Sequence, residues 1–143
     1  MEVNLKREAI QYCTPVYSDT LIREESLETV VSDTLPDIAR ILDADAAVYL
    51  RTKTLQQEKV RIEGSIRGTV LYIGEDSERL QKIETELPVT FTADADGTED
   101  ADVLAANVCV SSVDAKLLNP RKILFRASVC AAVVIYRSVT ASL

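Results

Sequence analysis

The stretch TADADGTEDAD, residues 92–102, gathers carboxylates around a single glycine, the composition a calcium loop requires. With Gly97 at the sixth position of an EF-hand loop, Asp94 and Asp96 fall at the third and fifth, where ligands belong. Thr92 and Val103 then occupy the first and twelfth positions, which demand an aspartate and a bidentate glutamate. The template fails at both anchors. The stretch reads first as a solvated acidic hairpin loop. Weak calcium or small-ligand binding through Asp94, Asp96 and Asp100 is the alternative.

Other chemistry is sparse. The chain has no histidine, which removes the commonest general base, Ser/His and Cys/His nucleophiles, and most zinc or copper sites. Its cysteines, Cys13, Cys109 and Cys130, are odd in number and show no C-x-x-C spacing. Cys109 and Cys130 lie in strand-like apolar runs and are expected as reduced core thiols rather than a redox pair or metal site. Acids are plentiful, but they sit in turns and on polar strand faces, with no pair held across a cleft as a glycosidase needs. A non-enzyme without a cofactor is expected.

Composition narrows the partners. The formal charge is −7 and the 16 Lys and Arg residues are scattered, whereas nucleic-acid binding needs clustered cations to displace phosphate counterions. Aromatics are few and tryptophan is absent, against a carbohydrate-binding face. The opening MEVNLKREAIQYC holds no apolar run long enough for a signal peptide or membrane span, so a cytosolic protein without membrane insertion is expected. At 143 residues the chain suits one domain with a Val, Ile, Leu and Ala core.

The elements that position these residues alternate with period two. In KVRIEGSIRGTVLYI, Val60, Ile62, Gly64, Ile66, Gly68, Val70 and Tyr72 share one face, and Lys59, Arg61, Glu63, Ser65, Arg67 and Thr69 the other. The inner glycines imply a bend, a bulge or close approach by another segment. Leu71 and Ile73 make the outer face apolar at its end, so a cover is expected there. RKILFRASVCAAVVIYR repeats the alternation, and its outer face turns apolar late, so the strand is expected to become more buried as it runs. AAVYLRTKT, ADVLAANVCVSSVDAKLL (broken near Ser111 and Ser112) and RLQKIETELPVTFTA add strands. Pro88 places the last of these at an edge or a bulge. VNLKREAIQY reads as either a helix or an edge strand, and the second half of TLIREESLETVV as strand. Turns fall at GEDSE (74–78), in the acidic loop and at Asn119-Pro120.

One segment breaks the alternation. In LPDIARIL, Pro36 suits a first helical position, Asp37 the first turn, and Ile38, Ile41 and Leu42 form an i, i+3, i+4 stripe. A short helix over 36–42, docked as a plug on one end of the sheet, is expected. The predicted fold is thus mainly β, an antiparallel sandwich of about 7–9 strands with that one helix. An N-terminal extension (1–20) would pack on a domain spanning 21–138, followed by a tail (139–143) that begins a linker.

LPDIARIL, DADAAV, KVRIEGSIRGTVLYI and ELPVTF, in that order, resemble the SPOCS domain family. The matching residues are Pro36, Asp37, Ile38, Ile41 and Leu42, then Gly64, Leu71 and Tyr72, then Leu87 and Pro88, and a structural role is expected for each. The resemblance runs from about Leu21 to Tyr136. It implies sporulation in endospore-forming Firmicutes, notably clostridia, and a spore coat or cortex assembly protein. In the best-known member a C-terminal LysM domain binds the ATPase of the coat basement layer. No LysM domain fits after Tyr136, so the chain is expected to be either a piece of a longer, repeated-domain protein, the favoured reading, or a single-domain member, and that role does not transfer. The expected function is a scaffold module in the mother-cell cytoplasm at the forespore surface. It would bind coat or basement-layer proteins, or itself, through sheet edges and apolar patches such as Leu71, Ile73, Leu124 and Val134.

Overall fold

The computed structural model describes residues 9–75 and 79–142. Residues 1–8 of the ambiguous N-terminal stretch, the 76–78 part of the GEDSE turn and Leu143 lie outside the described residues.

Among the described residues six long strands, not seven to nine, make up the fold: β1 (Ala9–Val30), β2 (Ile38–Gln56), β3 (Lys59–Gly74), β4 (Leu80–Asp94), β5 (Val103–Asn119) and β6 (Lys122–Ser142). They form two three-stranded antiparallel sheets, ordered β1-β6-β5 and β2-β3-β4. The strand count falls because expected breaks are absorbed as bulges. At Ser111-Ser112 the β5 register merely shifts between Val110 and Ser112, and pairing with β6 resumes. β1 runs unbroken across residues 20 and 21, and its pairing with β6 reaches Ser142.

The sheets stack face to face, with β1 against β4 and β5 against β2, which sets β6 over β3. Both central strands alternate, with outward-facing Ser65 the one β3 residue that is buried out of step. On β3 every even residue from Val60 to Gly74 is buried, and on β6 every odd residue from Ile123 to Ile135. Close approach explains the inner glycines. A Cβ at Gly68 would collide with the Phe125 ring across the sandwich and lie 2.8 Å from Thr85 Cγ2, and one at Gly64 would strike the Tyr49 carbonyl oxygen.

The helix expected over 36–42 is absent. Ser32–Leu35 forms a turn closed by Leu35 N–H donating to Ser32 O at 2.9 Å, and Ile38 already begins β2. The misleading signal has a physical origin. β2 carries register shifts between Ile38 and Arg40 and between Ile41 and Asp43. Each inserts one residue, so inward positions that would recur every second residue recur every third: Ile38, Ile41, Ala44, and then Ala46 and Val48. Two bulges imitate the i, i+3 spacing of a helix. Leu42, which completed the helical stripe, is 47% exposed on the opposite face.

Candidate interaction face

The chain crosses between the sheets twice, and an arginine holds each crossing. At the first, residues 31–37 lead from β1 to β2. Arg121, just before β6, donates through Nη1 to Asp37 Oδ1 (2.7 Å) and Leu35 O (3.2 Å), and through Nη2 to Ser32 O (2.8 Å) and Val31 O (3.2 Å). One guanidinium thus satisfies three carbonyls that the turn leaves without strand partners. Backbone bonds from Val31 N–H to Arg121 O and from Ile38 N–H to Pro120 O complete the joint. The Tyr72 hydroxyl donates to Pro36 O at 3.2 Å, and burial holds its pKa above the usual tyrosine value. Pro36 lies over Gly74, where a Cβ would come 3.0 Å from the proline Cβ.

These contacts place the sequence-predicted residues. Pro36, Asp37, Ile38 and Tyr72 converge on the joint, with Ile41 paired to Tyr72 one step along. Gly64 and Leu87 lie farther along the sandwich, with Leu87 in the core. Pro88 stands exposed on edge strand β4 opposite Ser65, Leu71 is half-buried on the outer face of β3, and Leu42 is exposed.

At the second crossing the acidic loop returns the chain from β4 to β5. Asp100 Oδ1 accepts from Gln57 N–H (2.9 Å), Glu58 Oε1 from Gly97 N–H (3.0 Å), and Glu58 O from Ala95 N–H (2.7 Å). These bonds secure the β2–β3 turn, whose two residues, Gln57 (φ 51°) and Glu58 (φ 60°), are both left-handed, a geometry usually assigned to Asn-Gly. Arg137 of β6 enters the loop, donating to both Asp102 oxygens (3.0 and 2.9 Å) and to Gly97 O (3.0 Å). Asp94 and Asp96 remain on the exposed rim. Among the described residues no three His, Cys, Asp or Glu side chains cluster as metal ligands. A side-chain cation already neutralises the most buried acid of the loop.

The outer sheet faces differ from one another. On β2-β3-β4 the face is polar and charged over most of its length, with Leu71, Ile73 and Leu80 apolar at the Gly74 end. The Arg67 guanidinium lies 4.9 Å from the Tyr49 ring centre, and Glu86 accepts from Ser65 Oγ (2.7 Å) and Arg51 (3.3 Å). The Ser65 hydroxyl, aided by Arg67 and Arg51, holds the Glu86 carboxyl below the usual glutamate range. The β1-β6-β5 face is apolar toward the C-terminal end of β6. Ile22 (69% exposed) and Val103 (59%) flank Ala132, Val134 and Tyr136, with Ala105 opposite Val134. The deepening burial expected for late β6 does not occur, since Ala132 is exposed and Val134 and Tyr136 are only half-covered. Cys109 and Cys130 are on this face too, exposed and half-buried, rather than in the core.

A family model described as SipL, SPOCS domain, matches residues 37–118, more than half of the chain. The chain belongs to this family. No curated protein and no solved structure matches it. The matched part of this SPOCS domain holds β2 through β5, hence one complete sheet and a single strand of the other. The inner face of that sheet is covered by Ile123, Phe125, Val129, Val133 and Ile135 of β6, beyond the match.

Sequence reasoning missed both arginines of the SPOCS joints and Asp102. Arg121 follows the Asn-Pro turn and Arg137 ends the alternating β6 run, but nothing local marks either as a bridge between sheets. Asp102 supplies a pH test. Arg137, with the Glu99 N–H, holds its carboxyl below the ordinary 3.8. The unfolded chain therefore takes up this proton at higher pH than the folded one, so the pair's contribution is full above about pH 4 and is lost as pH falls further. Thermal melts from neutral to pH 3 should show a smaller acid-induced loss of Tm in Asp102→Asn than in the parent. Equal slopes would show that Asp102 does not carry the dependence.

Proposed function

We propose that the chain is a non-enzymatic protein-interaction module of a spore-envelope assembly protein, docking through the outer face of β1-β6-β5. Family membership associates it with sporulation. The observation that carries the docking mode is the apolar strip of Ile22, Val103, Ala132 and Val134, which crosses all three strands of one outer face, whereas the other is charged along most of its length and apolar only at the end where Leu71, Ile73 and Leu80 meet.

Edge pairing, the other route open to a sandwich, is disfavoured by the strands themselves. β1 bulges between Pro15 and Tyr17, β2 at three places and β5 at two, and β4 carries Pro88. Bulges and prolines are the devices that stop an exposed edge from recruiting another strand. Every edge has one, so the free binding surface is a face. The partners that fit are coat or basement-layer proteins, or a second copy, in the mother-cell cytoplasm at the forespore surface. Among the described residues no helix is long and apolar enough to cross a membrane.

Ile22→Lys and Val103→Lys test the reading, because both positions are exposed and a folded protein should tolerate the charge. Each variant should keep its parent's Tm within a few degrees. Each should also lose self-association in sedimentation velocity or co-purification of coat and basement-layer proteins from sporulating cells. Unchanged assembly and an unchanged partner set in both variants would reject this face.

A further inference from the structure

Cys109 of β5 and Cys130 of β6 are direct cross-strand partners in register. Both side chains point to the outer face of β1-β6-β5, and their sulfurs lie 2.7 Å apart. Directly opposed residues in an antiparallel pair have Cα atoms about 4.5–5.5 Å apart, inside the roughly 4.4–6.8 Å span that a disulfide bridges. Two thiols gain little from such proximity, since S–H is a weak donor and S a weak acceptor. Exposure also gives a reagent access to Cys109.

We propose that Cys109 and Cys130 form an oxidation site, closing a reversible disulfide between β5 and β6 by exchange with a low-molecular-weight organic disulfide. The Cys109 thiolate attacks one sulfur of the small disulfide, forming a mixed disulfide and releasing half of the reagent as a thiolate. Cys130 then loses its proton to solvent and attacks the Cys109 sulfur, forming the protein disulfide and releasing the second half. The two protein thiols lose two electrons, the reagent is reduced to two thiols, and those take up the protons. The Cys109 thiol, followed by burial, holds the Cys130 pKa above the usual cysteine value, which makes the exposed Cys109 the point of entry. Cys13 stands apart on β1 opposite Ser138, exposed and without a cysteine partner among the described residues. The bridge would cross the face on which docking is proposed, but it rests on strand register and exposure alone and is independent of that reading.

Equilibrating the full chain with oxidised glutathione, then alkylating and weighing it, tests the site. A Cys13→Ser variant, free of the third thiol, should lose both alkylatable thiols and two hydrogens without forming an intermolecular disulfide. Tryptic peptides 83–116 and 127–137 should be recovered as one linked species that dithiothreitol separates. Cys130→Ser should retain an alkylatable or glutathionylated Cys109 and give no linked species. Two free thiols in Cys13→Ser at full oxidant, stable glutathione adducts on both, or cross-linking only between molecules would overturn the proposal.

Discussion

An aspartate at position 38 should abolish folding, whereas an aspartate at position 42 should leave the protein folded. Ile38 is 1% exposed and opens β2 opposite Gly74, between the Pro36 joint and the core. A carboxylate there would have to compete for Arg121, which is already bonded to Asp37 and three carbonyls. A buried, unpaired charge belongs to the small class of substitutions that cost more than about 4–5 kcal/mol. That is comparable to the whole stability of many domains, about 5–15 kcal/mol. Leu42 faces solvent, and Leu42→Asp should stay within about 0.5 kcal/mol of the parent. A helical stripe would make the two positions equivalent. Far-UV circular dichroism and urea melts of both variants therefore discriminate the bulged strand from a helix, and comparable destabilisation would reject the bulged register.

The second large effect lies at the sandwich centre. Phe125 is fully buried and its ring tip occupies the space left by Gly68. Phe125→Ala should cost about 3–5 kcal/mol, from lost transfer energy and from the cavity between two sheets that bulged edges and long strands hold apart. The opposite error is also unfavourable. Gly68→Ala forces a methyl into the ring and should cost about 1–3 kcal/mol, since β3 and β6 are both central strands with little room to shift. The two sites should be coupled. In a Phe125→Leu background, where the ring tip is gone, Gly68→Ala should be less harmful by about 0.5–3 kcal/mol in chemical denaturation. Strict additivity in that cycle would show that the glycine is not there for the ring.

What was legible followed from the period of each strand. β3 and β6 keep their apolar residues in alternation because both edges of a central strand are hydrogen-bonded and one face is buried, so hydrophobic order survives in the sequence as order along the chain. The edge strand β2 lacks that discipline, although the edge strand β4 keeps it from Ile83 to Phe91. The bulges of β2 turned a two-residue period into a three-residue one, and LPDIARIL looked helical for that reason alone. The apolar outer face of late β6 looked like a second buried surface, because apolar composition cannot say whether another layer exists to cover it.

The residues of the joints show the same division. Pro36, Asp37, Ile38 and Tyr72 stand out in the sequence as a motif, and the chain brings them together. Arg121 lies 84 residues from Asp37, and Arg137 lies 35 from Asp102. No local pattern connects such pairs, since only the stacking of one sheet on the other brings β6 beside both crossing loops. Cys109 and Cys130 had the spacing of unrelated core thiols until the β5–β6 register set them opposite each other. The sequence by itself determined a β fold, its two central strands and its lack of histidine-based chemistry, because those depend on composition and on nearest neighbours along the chain. Tertiary structure decided which face stays open, which charges clamp the crossings and which sulfurs meet, because those depend on how two sheets pack and in what register.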